Sequence, residues 1–378
     1  MTTRKKIGFL YFEEIHHIHH FIGIASELLK LGNHDIDILT FKSDHDYLFK
    51  LIGILNSENI NVIQLNKPLS RQIIDAITGR KKPSPVYLYR KHKQRLLKYD
   101  ALVYTEKNHK YVYKYRKDKE TPKLIIVNHG PAGRGYSFQP AVKLFDLALL
   151  HGKFYVSRLK TENLLIDNHV MIGYSKFDVV KKENQNKSFF NDKKPIVLYN
   201  PHFNKINSSW YNYGKQILDY FYNSKDYNLI FAPHIYLFNR KGFLNPDIID
   251  KKYFQKDNIH IDLGSLNSSN MSYTLNSDIY LGDVSSQVFE FHVKPRSCIF
   301  INTNKVEWKN DINYRFWKTG DVIDSIEKLD NTLKTLGERK AHYLKIQKSF
   351  FDENFITYPK HTASEKGALA IDNFLNSL

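Results

Sequence analysis

The sequence predicts an α/β protein made of two Rossmann-like domains, each a mostly parallel sheet with helices on its faces, the two sheets facing a central cleft. Three observations carry this reading. The chain has 378 residues, more than one typical domain and suited to two. Short apolar runs alternate with helical patterns along nearly its whole length, as β-α-β units do. A polar stretch, Lys181-Lys-Glu-Asn-Gln-Asn-Lys187, interrupts the alternation about midway and divides residues 1–183 from 184–378.

In the first half, Lys6–Phe12 reads as the opening strand and residues 17–31, with Ile22, Leu28 and Leu29 among small residues, as a helix. Further strands are expected at Asp35–Phe41, Asn61–Leu65, Ala101–Tyr104, Leu124–Val127 and Leu147–Leu150. In the second half, strands are expected at Pro195–Tyr199, Asn228–Phe231, His260–Asp262, Ile279–Leu281 and Cys298–Ile301, with a helix from Trp210 to Tyr222. A long helical pattern, about 322–350, and a last helix from Ala363 to about Leu375 close the chain. That last helix is expected to pack back on the N-terminal domain.

Hydrophobic residues make up 42% of the chain and aromatics 14%, enough for buried cores. Cys298 is the single cysteine, so no intramolecular disulfide can form, which fits a reducing compartment. The first apolar run is too short for a signal-peptide core, and no later run approaches the ~20 residues needed to span a bilayer. A cytoplasmic protein is expected.

The net charge of +17 points to an anionic partner. Between Arg80 and Lys119 there are 14 Lys/Arg against 3 Asp/Glu, with Leu, Tyr and Val interleaved. That mixture suits peripheral contact with an anionic membrane surface, and equally a solvated basic face. No zinc-finger spacing, ribonucleoprotein motif or helix-turn-helix pattern accompanies the charge, so nucleic acid is not an expected partner.

Ligands of open parallel sheets bind beyond the carboxyl ends of the strands, so the residues after each strand matter most. After Leu124–Val127 comes Asn128-His129-Gly130-Pro131-Ala132-Gly133-Arg134-Gly135. His129 can act as a base near neutral pH, Gly130 lets a ligand approach the backbone, and Arg134 can pair with phosphate. After Asn228–Phe231 stands His234, a possible donor to a developing negative charge. After Ile279–Leu281 come Asp283, Ser285 and Ser286, at the expected start of an apolar helix carrying Glu290. Such a start presents free N–H groups to an anion. Asn200 and His202, after Pro195–Tyr199, are expected beside the donor as well.

The run His16-His-Ile-His-His20 belongs to the loop and helix after the first strand. Adjacent helical histidines point in different directions, which makes one tetrahedral metal site awkward. Contact with the acceptor, through His19 and His20, is the reading adopted, and no metal is expected. Asp44-His-Asp46 follows the second strand rather than a phosphate loop and is given no role.

In order and spacing these pieces resemble the CDP-glycerol glycerophosphotransferase family, teichoic-acid and capsule enzymes of GT-B-like fold. Asn128-His-Gly-Pro131 resembles the family's W-H-G-T-P-L-K, and Gly173-Tyr-Ser-Lys-Phe-Asp178 its G-Y-P-R-x-D. Leu198-Tyr-Asn-Pro-His202 resembles the strand with Y-A-P-T, and Pro233-His234 shares only the His of an H-P motif. Gly282-Asp-Val-Ser-Ser286 with Glu290 resembles T-D-Y-S-S-x-x-x-D, and His361-Thr-Ala-Ser-Glu-Lys366 the C-terminal D-G-x-A-S-E-R. The likeness runs from about residue 120 to the end. Pro131-Ala-Gly-Arg134 replaces the family's threonine and lysine, and Ile235 replaces the proline after the second histidine.

The resemblance implies direct displacement on a nucleotide-activated donor, with no cofactor. An acceptor hydroxyl attacks, His129 is the base, and His234, Arg134 and the backbone at Ser285 and Ser286 bind the pyrophosphate. The expected function is transfer of glycerol phosphate or a related alditol phosphate from a CDP-linked donor to a lipid-linked or phosphorylated polymer acceptor. It would take place at the inner face of the cell membrane. A GT-B glycosyltransferase using a nucleotide sugar, a sugar-nucleotide epimerase and a non-enzymatic basic membrane scaffold remain as alternatives.

Overall fold

A computed structural model describes residues 4–378 except 13, 42–44, 79–84, 117–119, 132, 134, 184–186 and 240–243. The chain divides into two compact units. The first holds residues 1–132, 136–183 and 354–378, and the second 133–135 and 184–353.

The first unit is built on a seven-stranded sheet, every neighbouring pair parallel. Its strands are β1 (Lys5–Tyr11), β2 (His34–Thr40), β3 (Asn61–Gln64), β4 (Ala101–Tyr104), β5 (Lys123–Val127), β6 (Leu147–Leu150) and β7 (His169–Met171). They lie in the order β3-β2-β1-β4-β5-β6-β7. Strands buried on both faces read as continuous apolar runs, and β4, β5 and β6 do so. The one strand not anticipated, β7, has three half-buried residues and too little apolar signal to announce itself.

Helices α1 (Ile18–Leu31), α2 (Asp46–Ile54), α3 (Leu69–Thr78), α4 (Pro85–Lys91) and α5 (Ser175–Glu183) also belong to the first unit. Gly32, at φ 75°, ends α1 in the left-handed conformation that glycine adopts without cost. One core packs Ile18, Phe21 and Ile22 of α1 and Leu51 of α2 against Ile7, Phe9 and Val103 of the sheet. A second core holds Leu10, Leu102, Leu124 and Ile126, which alternate along the strands with residues of the first.

The second unit has a six-stranded, fully parallel sheet in the order β10-β9-β8-β11-β12-β13. These strands are β8 (Ile196–Asn200), β9 (Asn228–Phe231), β10 (Ile259–Ile261), β11 (Ile279–Gly282), β12 (Ser297–Ile301) and β13 (Asp321–Ile323). Its helices include α6 (Trp210–Asn223), α7 (Gln287–Phe291) and α8 (Leu336–Asn354). The expected single helix over 322–350 is not one element. Val322 and Ile323 pair with β12 as the edge strand, where β-branched side chains fit a pleated surface, and a short helix, Leu329–Lys334, precedes α8.

After α8 the chain rejoins the first unit and ends in α9 (Ala363–Asn376). A Thr362/Glu365 capping box starts α9, each side chain accepting from the other residue's backbone N–H. Ser364 donates to Asp178 at 2.8 Å, and His34 lies 2.8 Å from Asp372. Where the chain returns, Ile356 N–H donates to the His151 carbonyl at 2.9 Å. The polar stretch after residue 180 is partly helical, since α5 runs to Glu183, and residues 184–186 lie outside those described.

A Cβ at Gly152 would stand 2.5 Å from the Asn354 carbonyl oxygen, a backbone atom that cannot swing aside. Gly152→Ala should therefore destabilise the first unit by about 1–3 kcal/mol. Gly53, inside α2, has nothing within 4 Å of that position, so Gly53→Ala should be neutral or stabilising by about 0.5–1 kcal/mol. Urea titration of both variants checks the contrast; equal midpoints would contradict it.

Candidate active site

Strand order reverses direction at two places, between β1 and β4 in the first unit and between β8 and β11 in the second. At such a switch point the loops leaving the carboxyl ends diverge and open a crevice. Several residues singled out from the sequence lie on the loops leaving β8 and β11, and others follow the neighbouring strands β5 and β9.

In the first unit, β4 runs into Thr105 and Glu106, and β5 into Asn128 and His129. His129 Nδ1 lies 3.0 Å from Glu106 Oε1 and 3.1 Å from the Thr105 carbonyl oxygen. A carbonyl and a carboxylate only accept, so Nδ1 carries the proton and Nε2 keeps its lone pair. A base with its other nitrogen on a carboxylate is held in one orientation, and the charge it gains is offset nearby. Nothing lies within 4 Å of where a Cβ would stand at Gly130, so the backbone there is open to close approach.

His17 reaches the same place from the segment after β1. Its Nδ1 is 2.9 Å from Thr105 Oγ1 and its ring stacks on His129, centroids 4.1 Å apart at 24°. With His16 these residues place three ring-nitrogen ligand atoms within 4.8 Å of one another. A cation could draw on that set. Nearly parallel stacked rings do not aim two in-plane lone pairs at one point, however, so the rings would have to turn first.

Behind them lie two buried histidines, His20 and His151, edge-on to the Tyr174 ring at 5.2 and 4.9 Å. Burial holds His151 down to about 4. Burial, then the Lys176 ammonium and the neighbouring imidazoles, push His20 well below its ordinary value. Both are neutral at pH 7. The expected acceptor-side pair therefore divides. His20 lies near His129, with ring centroids 6.4 Å apart. His19 is a core residue: its Nε2 sits 2.8 Å from the Tyr47 hydroxyl, which donates to Glu183 at 2.7 Å. The helical turn that brings His20 toward His129 carries His19 to α2 and α5.

In the second unit Asp283 follows β11. Its carboxylate accepts from four protein donors: His202 N–H (2.9 Å), Val284 N–H (2.6 Å), Ser209 N–H (2.6 Å) and Ser209 Oγ (2.9 Å). Burial pushes the carboxyl up to about 6 against the pull of those donors. Expected as a donor-binding residue, Asp283 instead ties the loop after β8 and the start of α6 to β11. Asn200 is similarly engaged: its Nδ2 donates to the Ala232 carbonyl at 2.6 Å and its Oδ1 accepts from the Tyr280 hydroxyl at 3.3 Å.

His202 and His234 are set the opposite way from His129. His202 Nδ1 accepts from Asn204 N–H at 3.0 Å, and His234 Nδ1 accepts from Tyr236 N–H at 3.2 Å. A nitrogen that accepts is unprotonated, so each neutral ring carries its proton on Nε2. The two rings are 5.7 Å apart, with Phe203 against both.

The expected anion site at Ser285 and Ser286 rests on a short element, because α7 has five residues and a correspondingly small dipole. Ser285 Oγ accepts from Gln287 N–H at 3.2 Å, and Glu290 is buried on α7. Arg134 lies outside the described residues, as does Asp44. Thr105, Glu106 and His151 escaped sequence reasoning, and His17 was noticed within its run but given no role. Glu106 had a usable signal, since it follows its strand as His129 follows the next; His151 too stands one residue past a strand.

No protein-family model matches the chain, and no curated protein matches it in sequence. Its fold does match solved structures. The wall teichoic acid polymerase TagF is 15% identical with a TM-score of 0.64 over 99% of this chain and 90% of that one. The UDP-GlcNAc 2-epimerase from Neisseria meningitidis, bound to UDP-GlcNAc, is 13% identical with a TM-score of 0.60 over 99% of each chain. The S. aureus MnaA–UDP structure is 15% identical with a TM-score of 0.61 over 99% of this chain and 98% of that one. These likenesses are of fold: the chain is an α/β protein of GT-B-like architecture.

Asp283→Asn puts an amide N–H against donors that now meet a carboxylate, at a cost of about 2–3 kcal/mol. A fall in Tm of about 5–10 °C is expected; an unchanged Tm would refute the hub role. His151 makes stability pH-dependent. Its folded pKa is below the unfolded value of about 6.5, so stability is full above that pH. It falls by about 1.4 kcal/mol per unit as the pH drops toward 4. Unfolding titrations from pH 7 to 4.5 should lose that slope in His151→Gln.

Proposed function

We propose that this protein is a transferase that moves glycerol phosphate, or a related alditol phosphate, from a CDP-activated donor to a hydroxyl of a lipid-linked or polymer acceptor. The observation that carries the reading is the opposite setting of the histidines: His129 keeps an Nε2 lone pair backed by Glu106, while His202 and His234 each offer an Nε2 proton. Hydroxyl transfer to phosphorus needs one base and several fixed donors, and the chain holds histidines set in both ways.

In the reaction, His129 Nε2 takes the acceptor hydroxyl proton as its oxygen attacks the phosphorus of the transferred group. The new P–O bond forms as the bond to the bridging pyrophosphate oxygen breaks, and CMP leaves with the electron pair. His202 and His234 donate to phosphate oxygens whose charge grows, joined by Arg134 and the backbone at Ser285–Ser286. Asp283 holds the His202 backbone in place, and the Glu106 carboxylate stabilises the imidazolium on His129. Gly130 leaves room for the acceptor.

The acceptor places the protein at an anionic membrane. In support, Arg90, Lys91, Lys93, Arg95 and Lys98 are exposed. No helix among the described residues is long and apolar enough to cross a membrane.

Epimerisation of a sugar nucleotide is the second reading, favoured by the end-to-end fold match to UDP-GlcNAc 2-epimerases. It requires no acceptor. With CDP-glycerol, CMP release should depend on an added acceptor. His129→Ala should lower kcat by about 10²–10⁴ with little change in donor affinity. Glu106→Gln should lower kcat less, and His234→Ala should weaken both donor binding and turnover. Conversion of UDP-GlcNAc without acceptor would replace the first reading by the second, and turnover only with nucleotide sugars plus acceptor would make the protein a glycosyltransferase.

A further inference from the structure

Several histidines lie near His129, and the proposed reaction uses none of them: the rings of His16, His17 and His20 stand 5.9, 4.1 and 6.4 Å from its own. His16, His17 and His129 each place one ring nitrogen within 4.8 Å of the other two. Two of these three rings are anchored from behind. His129 Nδ1 lies 3.0 Å from Glu106 Oε1 and 3.1 Å from the Thr105 carbonyl oxygen, and His17 Nδ1 lies 2.9 Å from Thr105 Oγ1. An imidazole that binds a metal is held in this way, one nitrogen on a carboxylate or a carbonyl and the other on the ion.

The stack of His17 on His129 is the obstacle, since two parallel rings do not aim at one point. His16 is already inclined to both, by 54° to His17 and 64° to His129. His129 has two acceptors within reach of one Nδ1 proton, so its ring can turn between them without losing a hydrogen bond. The Thr105 hydroxyl rotates freely enough to follow His17. A metal therefore costs the site one ring stack, and the Glu106 carboxylate offsets part of the charge the ion brings.

We infer that His16, His17 and His129 form an inhibitory site for a divalent ion of the zinc class, and that the ion competes with the acceptor proton for His129 Nε2. Three imidazole nitrogens suit zinc, whereas magnesium and calcium take oxygen ligands. Bound zinc occupies the lone pair that would receive the proton, so the loaded enzyme is switched off. The competition rests on the reading of His129 as the base. The binding of zinc does not, and stands on the three rings and their anchors alone.

The test is zinc titration of the chelator-treated full chain by calorimetry, with cobalt as a visible-absorption probe of the ligand set. The wild type should take one zinc ion per chain at the site, and cobalt should show the d–d bands of a nitrogen-ligated ion. Magnesium should not displace either. Glu106→Gln should weaken zinc about 10–100-fold, and His16→Ala at least as much. His16→Gln serves as the second variant if His16→Ala fails to fold, which Tm decides. His342→Ala, which removes an exposed histidine elsewhere, should change nothing. Zinc should suppress CMP release from CDP-glycerol in the wild type. His16→Ala should keep the metal-free rate within about twofold and resist zinc. Zinc affinity unchanged in both His16→Ala and Glu106→Gln would overturn the site. Zinc bound there without loss of turnover, or with a gain, would overturn the competition. Full turnover in His129→Ala, with zinc still bound by the wild type, would overturn the competition together with the base reading and uphold the site.

Discussion

The reversal of strand order at β1/β4 and at β8/β11 is the constraint on which the rest depends. Parallel strands send their connections over opposite faces of the sheet once the order turns, and the loops at their carboxyl ends part there. Around the first reversal His17, Thr105, Glu106 and His129 meet from three strands that are far apart in sequence. At the second, Asp283 spans the gap directly, since β11 supplies the carboxylate and the segment after β8 supplies three of its four donors. A buried carboxylate is costly to desolvate, and four donors are what make it tolerable. The crevice residues are thus held by the topology that opens the crevice.

Within that frame, hydrogen-bond partners rather than residue type decide the chemistry of each histidine. A carbonyl and a carboxylate on Nδ1 leave His129 with a free lone pair on Nε2. Backbone N–H groups on Nδ1 leave His202 and His234 with the proton on Nε2. Tyr47 and Glu183 absorb His19 into the core. The same imidazole serves as base, donor or filler, and a sequence pattern without the partners cannot sort these roles.

The parallel sheets were legible because buried strands are continuous apolar runs, and most boundaries of β1 to β12 lie within a residue or two of those read from sequence. What failed is instructive. The edge strands β7 and β13 carry too little apolar signal to stand out, and Val322–Ile323 read as the start of a helix because the residues after them are helical. At the site, His129, His202 and His234 were visible as histidines after strands. Glu106 was hidden by its ordinariness, one acid after a strand like many others. Asn200 and Asp283 were assigned to the ligand because sequence shows a polar residue at a strand end but not which way its side chain is spent.

Helix α3 shows the same limit from the other side. Its amphipathic pattern is plain in Leu69, Ile73 and Ile77 opposite Arg71 and Asp75, and the pattern alone says that the apolar side is buried. Packing inverts the answer, because Arg71 is buried over Tyr87 while Leu69, Ile73 and Ile77 are exposed. An apolar side kept in water opposes folding, so it needs a compensating partner or it is a liability.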